Sequence, residues 1–505
     1  MNPAVQPPWP GALALWSALE RALDAVAGTR GNPLRHLGAL GFLFFWLLAA
    51  TGVVLFAVLD TAVAAAYDSV ARFSAGPGGL VRSLHRYAAD GFVAVMAAHL
   101  VRELLHGRYA HFRRFTWITG VTLLPLALAA GVGGFWLAWD AQGQFSAVAT
   151  AEWLDALPLF ATPFTRNFVL DAQVNDRLFS LFVFVHLGVA LLLVFGLWAH
   201  LQRLVRAAVW PPRPLLAGTL AAMLGLALLW PVQGAGPADL SRVPEVLALD
   251  WWLLALHPLM YATSAEALWA LAAGLLLGLG ALPWLTRARR PTAAVVDPAN
   301  CNGCRRCFND CPYAAVTMVP HPSRRQREMA RVDAELCAGC GICTGACPSS
   351  TPMRRAAALH TGIDMPQQPL DGVRQQLREG LQAMQGPRRI AVFACECAAQ
   401  PAAAPDVLRV PLLCAGMLPP SFVEDALRHG ASAVVVAGCS IEGCAFRLGM
   451  RWTQQRLDRQ REPRLRAAAP REAVQLVQAD VGQPAPLAAA VHRLRAEAAH
   501  TETLR

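Results

Sequence analysis

Apolar residues crowd the first 290 positions and thin out sharply after them. Six stretches approach or exceed the length of a bilayer crossing, at roughly 37–58, 88–105, 117–139, 178–201, 214–232 and 264–285. Residues 1–30 differ. There Trp16, Leu19, Leu23 and Val26 recur at helical spacing among charges, which predicts an amphipathic helix lying on the membrane surface and no cleavable signal peptide. Late in the chain the period shortens. The β-runs Arg389–Ala394, Val407–Leu413 and Ala433–Ala437 alternate with helices near Pro420–Arg428 and Ala445–Arg456, the pattern of a small parallel α/β unit. Ala356–Gln385 reads as a linker or helical connector, and the Ala- and Arg-rich residues past about 480 read as helix without chemistry.

Loop charge orients the spans. Arg30 and Arg35, then Arg102, Arg108, Arg113 and Arg114, then Arg203, Arg206 and Arg213, then Arg287, Arg289 and Arg290 all fall on one side. The opposite loops carry Asp60, Asp68, Asp140, Glu152, Asp155, Asp171, Asp176, Asp239, Glu245 and Asp250. The expectation is a multi-pass protein of a bacterial or archaeal inner (cytoplasmic) membrane, with both termini in the cytoplasm. At 55% hydrophobic residues the chain is too apolar to be wholly soluble. Its net charge of +10 follows from these arginine loops, which also suit anionic membrane lipid, and calls for no nucleic acid.

Four histidines sharpen the picture. His85 and His99 lie fourteen residues apart in one apolar stretch, and His186 and His200 lie fourteen apart in another. That step returns to within roughly 40° of the same helix face after about 21 Å. Ionisable groups inside a membrane are costly and by default functional, and two equal pairs suit the axial ligands of two stacked haems. Gly38 and Gly52 repeat the same step, as do Gly120 and Gly134, and glycine lets a flat macrocycle approach the backbone. Together the pairs describe a four-helix sleeve around two haems, with histidine on both faces of each iron and no open position for chemistry on oxygen.

Over residues 30–290 the chain resembles the cytochrome b family of quinol-oxidising complexes, through Arg82-Ser83-Leu84-His85, His99-Leu100-Val101-Arg102, Trp117 to Gly120, and Gly134-Phe135-Trp136-Leu137-Ala138-Trp139. The resemblance implies that His85 and His186 hold an outer haem b and that His99 and His200 hold an inner one. It also implies that Arg82 and Arg102 pair with haem propionates. The family's outer quinol site uses a Pro-Glu-Trp-Tyr run. Here Leu249-Asp250-Trp251-Trp252 follows Pro244, so Asp250 is the candidate quinol proton acceptor, although Asp is shorter than Glu and the proline and tyrosine are missing.

All 13 cysteines lie after residue 300, in the part placed in the reducing cytoplasm, so metal ligation is expected before disulfides. Cys301, Cys304, Cys307 and Cys311 precede Pro312, and Cys337, Cys340, Cys343 and Cys347 precede Pro348. In two-cluster ferredoxins three thiolates of one run and the fourth of the other hold each cubane. One 4Fe-4S cluster would then take Cys301, Cys304, Cys307 and Cys347, and the other Cys337, Cys340, Cys343 and Cys311; zinc is the competing reading. Five further cysteines, Cys395, Cys397, Cys414, Cys439 and Cys444, sit at strand ends, where open α/β sheets place ligands. This part resembles the delta subunit of methyl-viologen-reducing hydrogenase, through Phe393-Ala394-Cys395-Glu396-Cys397, Val410 to Gly416 and Gly438-Cys439-Ser440-Ile441-Glu442-Gly443-Cys444. That resemblance implies a 2Fe-2S cluster and a partner among soluble flavoproteins, hydrogenases or heterodisulfide-reductase-like subunits. One residue separates Cys395 from Cys397 where two are expected, which leaves open which four of the five bind.

The sequence therefore predicts a multi-domain chain. Residues 1–288 form an all-α transmembrane dihaem bundle, 289–360 a bacterial-type α+β ferredoxin, 361–387 a connector and 388–505 a small parallel α/β domain. Its expected role is a quinone-linked oxidoreductase subunit carrying electrons between a soluble cytoplasmic partner and the quinone pool, through 2Fe-2S, two 4Fe-4S clusters and two b-type haems, in either direction. A homodimer is compatible with this. Neither a flavin or nicotinamide fingerprint nor a Cys-x-x-Cys-His run is present. Two alternatives compete: a redox-sensing membrane protein without turnover, and a transporter with intramembrane histidines and no haem.

Overall fold

The computed structural model describes residues 9–158, 162–169, 174–241, 246–286, 290–353, 358–386 and 388–503. Asp171, Pro244, Glu245, Arg287 and Arg289 lie outside the described residues. The first half is helical: α1 (Pro10–Gly31), α2 (Leu37–Val58), α3 (Val63–Ser74), α4 (Gly78–Leu105), α5 (Arg114–Ala138), α6 (Ala141–Asp155), α7 (Arg166–Val169), α8 (Asp176–Leu201), α9 (Arg213–Leu229), α10 (Leu256–Ala262) and α11 (Ala265–Leu285). Among the described residues four helices are long and apolar enough to cross a membrane: α2, α5 with the turn before it, α8 and α11.

The other two expected spans differ for physical reasons. α4 begins ten residues earlier than the apolar stretch because its first turns carry Arg82 and Arg86, which the hydropathy pattern discards but neighbouring side chains satisfy. Arg86 pairs with Asp90 at 2.6 Å and with Asp250. α9 is only 17 residues long, opened by Pro214 in its first turn and ended at Trp230 before Pro231. In the bundle α2 packs along α4, and α5 packs along α8. α1 runs where the amphipathic pattern puts a helix, and it leaves Leu15, Leu19 and Val26 exposed. Its buried Glu20 accepts from Arg102 of α4 at 2.8 Å.

The second half begins with β1 (Val295–Val296), α12 (Arg306–Asp310), β2 (Val316–Pro320), β3 (Glu328–Val332), α13 (Ile342–Ala346), β4 (Ile363–Asp364) and α14 (Leu370–Ala383). Two small antiparallel ladders, β1 with β4 and β2 with β3, frame the eight paired-run cysteines. Then come β5 (Ile390–Cys395), β6 (Val407–Leu412), α15 (Pro420–Arg428), β7 (Ala433–Gly438), α16 (Gly449–Leu457), β8 (Val474–Gln478) and α17 (Ala485–Thr503). The four strands form one parallel sheet in the order β6-β5-β7-β8. β5 and β7 are buried along their whole length, which is why they read as unbroken apolar runs. The expected helix at Ala445 starts only at Gly449, since residues 439–448 are irregular and hold Cys444. β8 was not legible as a strand.

The ferredoxin-like and α/β parts share a single core, in which Cys301, Cys307 and Cys343 pack with Phe393, Met417 and Phe422. A buried ion pair crosses it. Asp310 of α12 accepts from Arg456 of α16 at 2.6 Å, with side chains only 4% and 1% exposed, and also from Arg461. Arg456 further donates to the carbonyl of Gly416 at 2.8 Å. Breaking a buried pair by removing one charge costs about 3–5 kcal/mol. Asp310→Asn should therefore destabilise this half by about that much in denaturant unfolding followed by hydrogen exchange of the β5 and β7 amides, and Asp310→Leu combined with Arg456→Met should recover most of it; equal losses in both variants would contradict the assignment.

Candidate functional site

The fourteen-residue step becomes a set of close approaches between helices. A Cβ added to Gly38 would stand 3.7 Å from Cε1 of His99, one on Gly52 3.2 Å from His85, one on Gly120 3.1 Å from His200 and one on Gly134 3.3 Å from His186. Every glycine of α2 and α5 singled out by its spacing thus faces a histidine of α4 or α8. The rings of His85 and His186 meet across the bundle with centroids 6.5 Å apart. Two imidazole nitrogens each about 2 Å from a shared iron put their ring centroids roughly that far apart. His99 and His200 lie within electrostatic reach of each other.

Which ring nitrogen is free is decided by the neighbours. Thr51 Oγ1 donates to the Leu47 carbonyl at 2.6 Å, so at 2.9 Å from His85 it accepts from Nδ1–H. Thr119 repeats this: its hydroxyl donates to the Phe115 carbonyl at 2.9 Å and accepts from His200 Nδ1–H at 3.0 Å. His186 Nδ1–H donates to the Ala130 carbonyl at 2.9 Å. Each of these rings therefore presents Nε2 as a lone pair, the tautomer an iron requires. Sequence reasoning missed both threonines, although the repeated Thr51-Gly52 and Thr119-Gly120 pairs were visible.

The two arginines part company. Arg82 lines a cavity of about 300 Å³ with Tyr67, Ser74 and Gly234, and donates to Ser74 at 3.3 Å. Arg102 is held by Glu20 and lies 3.5 Å from Glu103. Asp250 is fully engaged: Oδ1 accepts from the backbone N–H groups of Trp252 at 3.0 Å and Leu253 at 2.8 Å, while Oδ2 meets Arg86. Arg86, which the sequence did not single out, also stacks over Phe135 with its guanidinium carbon 4.7 Å from the ring centroid.

In the second half, Cys301, Cys304, Cys307 and Cys347 line one small cavity with Met318, Ala330 and Ile363. Cys311, Cys337, Cys340 and Cys343 are electrostatic neighbours of one another. The Cys307 thiol is pushed up to about 12, by burial first and then by Cys347, Cys304 and Cys301. Burial likewise pushes the Cys340 and Cys343 thiols well up. Thiols so placed ionise only against a compensating metal charge, which is the donor chemistry of a cluster. Among the described residues no three His, Cys, Asp or Glu side chains form a site for a single metal ion. Thiolates that each take a different iron of a cubane are expected to stand apart in this way.

The last five cysteines gather at the carboxyl ends of β5, β6 and β7, beside the point where strand order reverses. Cys395 and Cys444 each neighbour both Cys414 and Cys439, and Cys397 neighbours both Cys395 and Cys444.

Comparison with known families follows these three sites. Residues 31–207 match the model of cytochrome b/b6/petB, residues 300–351 that of the 4Fe-4S dicluster domain, and residues 390–500 that of the methyl-viologen-reducing hydrogenase delta subunit. The chain carries these families in series. Among solved structures, a chain of "Hyperthermophilic respiratory Complex III" is 20% identical, with a TM-score of 0.40 over 54% of this chain and 82% of that one. The cytochrome b segment implies haem b, and the dicluster segment implies 4Fe-4S clusters. Together the segments make this a membrane electron-transfer subunit of the oxidoreductase type.

The threonines offer a direct check on haem. An acceptor on Nδ1–H makes imidazole a stronger donor to iron and favours the ferric state. Thr51→Val should raise the midpoint potential of one b-type component, by roughly 40 mV for a bond worth about 1 kcal/mol, and leave the other unmoved. Redox titration of the b-type absorbance measures this, and Thr119→Val should move the other component instead.

Proposed function

We propose that this chain carries electrons between a soluble cytoplasmic redox partner and the quinone pool. In this reading residues 1–288 are the dihaem bundle, 289–360 the ferredoxin, 361–387 the connector and 388–505 the 2Fe-2S domain. His85 with His186 and His99 with His200 hold the outer and inner haem b, and Arg82 faces an outer propionate. Haem and cluster irons supply one-electron relays when bound. The protein's part is to fix them: glycine keeps the α2 and α5 backbones out of the macrocycle's way, and the threonines and the Ala130 carbonyl set the ring tautomers. One observation carries the reading, that each spaced glycine faces a spaced histidine.

The cubane ligands are Cys301, Cys304, Cys307 and Cys347 for the first cluster and Cys311, Cys337, Cys340 and Cys343 for the second. For the 2Fe-2S cluster burial favours Cys395, Cys414, Cys439 and Cys444, whereas Cys397, though it neighbours Cys395 and Cys444, is only half-buried and is left out of the set. The loops with Arg35, Arg113 and Arg206 touch the cysteine-bearing half, so the arginine-rich end of the bundle and the clusters share the cytoplasmic side of an inner membrane. An outer quinone site beside Trp251 and Trp252 would use Asp250 as proton acceptor, once a bound quinol draws it from Arg86.

Three measurements test this. A reduced-minus-oxidised spectrum should show b-type absorbance and EPR should resolve three iron–sulfur signals; a membrane preparation without b-type absorbance ends the proposal. Serine at Cys395, Cys414, Cys439 or Cys444 should abolish the 2Fe-2S signal, whereas Cys397→Ser should keep it. Stopped-flow haem reduction by decylubiquinol should slow at least tenfold in Asp250→Asn, and unchanged kinetics there would remove the outer site while leaving the haems and clusters in place.

A further inference from the structure

The three thiol groups form a line with unlike ends. Cys307 of the first group neighbours Cys343 of the second, and Cys340 of the second neighbours Cys444 of the third. The third group is turned toward the bundle. Arg113, one residue before α5, donates to the Ala445 carbonyl at 2.7 Å, and Arg35, two residues before α2, donates to Ser440 at 3.3 Å and lies 3.6 Å from Asp480. From Arg113 to Gly120, which faces His200, the helix climbs about 10 Å. Phe112 and Leu204 pack into the cluster of side chains that contains Cys340 and Cys414. Membrane-side loops thus cover the second and third groups.

The first group is open instead. Cys304 is the one exposed thiol of the 13, and Phe308 beside it is 45% exposed. The β2–β3 hairpin walls this cavity through Met318 and Ala330, and Arg324 from its tip donates to the Ala299 carbonyl at 2.8 Å and the Cys301 carbonyl at 3.4 Å. The same hairpin exposes Arg325, Arg327 and Arg331, none with a carboxylate partner among the described residues. Of the nearby acids Glu328 pairs with Arg305 at 2.5 Å, while Asp297, which accepts from the neutral amide of Asn300 at 2.6 Å, and the exposed Asp333 have no ion-pair partner among the described residues but are outnumbered by the hairpin arginines. The surface around the exposed thiol is therefore cationic with an apolar centre.

We infer that an acidic, soluble one-electron carrier docks on the Arg325–Arg331 hairpin over Cys304, so that the ferredoxin end faces the partner and the hydrogenase-delta-like domain is the relay against the membrane. This rests on the proposed electron-transfer role. It inverts the expectation that the delta-like domain meets the soluble partner. Per event one electron leaves the carrier, and one haem iron passes from ferric to ferrous. A cationic rim steers an anionic partner, raising the encounter rate and making it fall with salt.

The test uses the full chain in nanodiscs and flavodoxin, an acidic carrier, as probe. Calorimetric binding of oxidised flavodoxin should weaken at least tenfold in Arg325→Glu/Arg327→Glu/Arg331→Glu and lose most of its salt dependence. Stopped-flow haem reduction by reduced flavodoxin should slow by a similar factor, while dithionite reduces the haems of the variant as in the parent. The matching triple change on the α/β domain, Arg409→Glu/Arg428→Glu/Arg471→Glu, should alter neither. No binding of flavodoxin to the parent, unchanged binding in the hairpin variant, or a loss confined to the α/β variant would each overturn the inference. Haems that dithionite fails to reduce in the parent would instead overturn the electron-transfer role beneath it.

Discussion

Everything downstream of the membrane depends on how the two cysteine-bearing parts are held together, and one buried ion pair dominates that contact. Asp310 sits on the short helix between Cys307 and Cys311, and Arg456 reaches it from the helix that follows Cys444. Two charges taken out of water attract strongly only at good geometry, so the pair tolerates little displacement. Arg456 adds bonds to the Gly416 and Ile342 carbonyls, at the turn after Cys414 and at the helix bearing Cys343. A single guanidinium therefore touches the surroundings of the second and third thiol groups at once. Relays separated by a flexible linker would sample many distances, whereas relays bridged by this side chain keep one.

The bundle obeys a different constraint. A helix can bring its backbone against a flat ring only where it has no side chain, and it can return to the same ring line only after a near-integral number of turns. Fourteen residues satisfy both conditions, and threonine next to glycine adds an acceptor for Nδ1–H without adding bulk on the glycine face. Thr51 and Thr119 each spend their own hydroxyl proton on the helix carbonyl a turn back, which is what makes them acceptors toward histidine. At His85 and His200 the geometry and the tautomer thus come from the same two-residue unit, whereas at His186 the acceptor is the Ala130 carbonyl.

Period and spacing made much of this legible. Alternating β-runs foretold β5, β6 and β7 within a residue, and long apolar runs foretold α2 and α11 equally closely and α8 within two. α4 outruns its apolar stretch because Arg82 and Arg86 look like the end of a span, and only the fold reveals that Arg86 is neutralised by Asp90 and Asp250. β8 escaped notice because just one of its five residues is buried, so its sequence carries no apolar run. The engaged states of Arg102 and Asp250 were beyond any local pattern, since Glu20 and Arg86, their partners, lie 82 and 164 positions away. Spacing within one helix is visible in a sequence; pairing between distant elements is not.

The arginines before α2 and α5 serve two purposes. As loop charges they mark one side of a membrane, and nothing more would be needed to explain them. In the structure Arg35 and Arg113 also hold the Cys439–Cys444 loop, Arg447 returns the contact by donating to the carbonyls of Pro312 and Val205, and Arg206 stacks over Trp452. Most of these bonds end on backbone carbonyls, which every residue possesses, so the interface constrains the arginines far more than the residues they touch. A charge placed for topology was already at the right depth and pointing out of the bundle. Using it again as the clamp for the nearest thiol site required no further charge on that side of the bundle, and it fixes the distance between that site and the histidines His99 and His200 through two short, rigid helix starts.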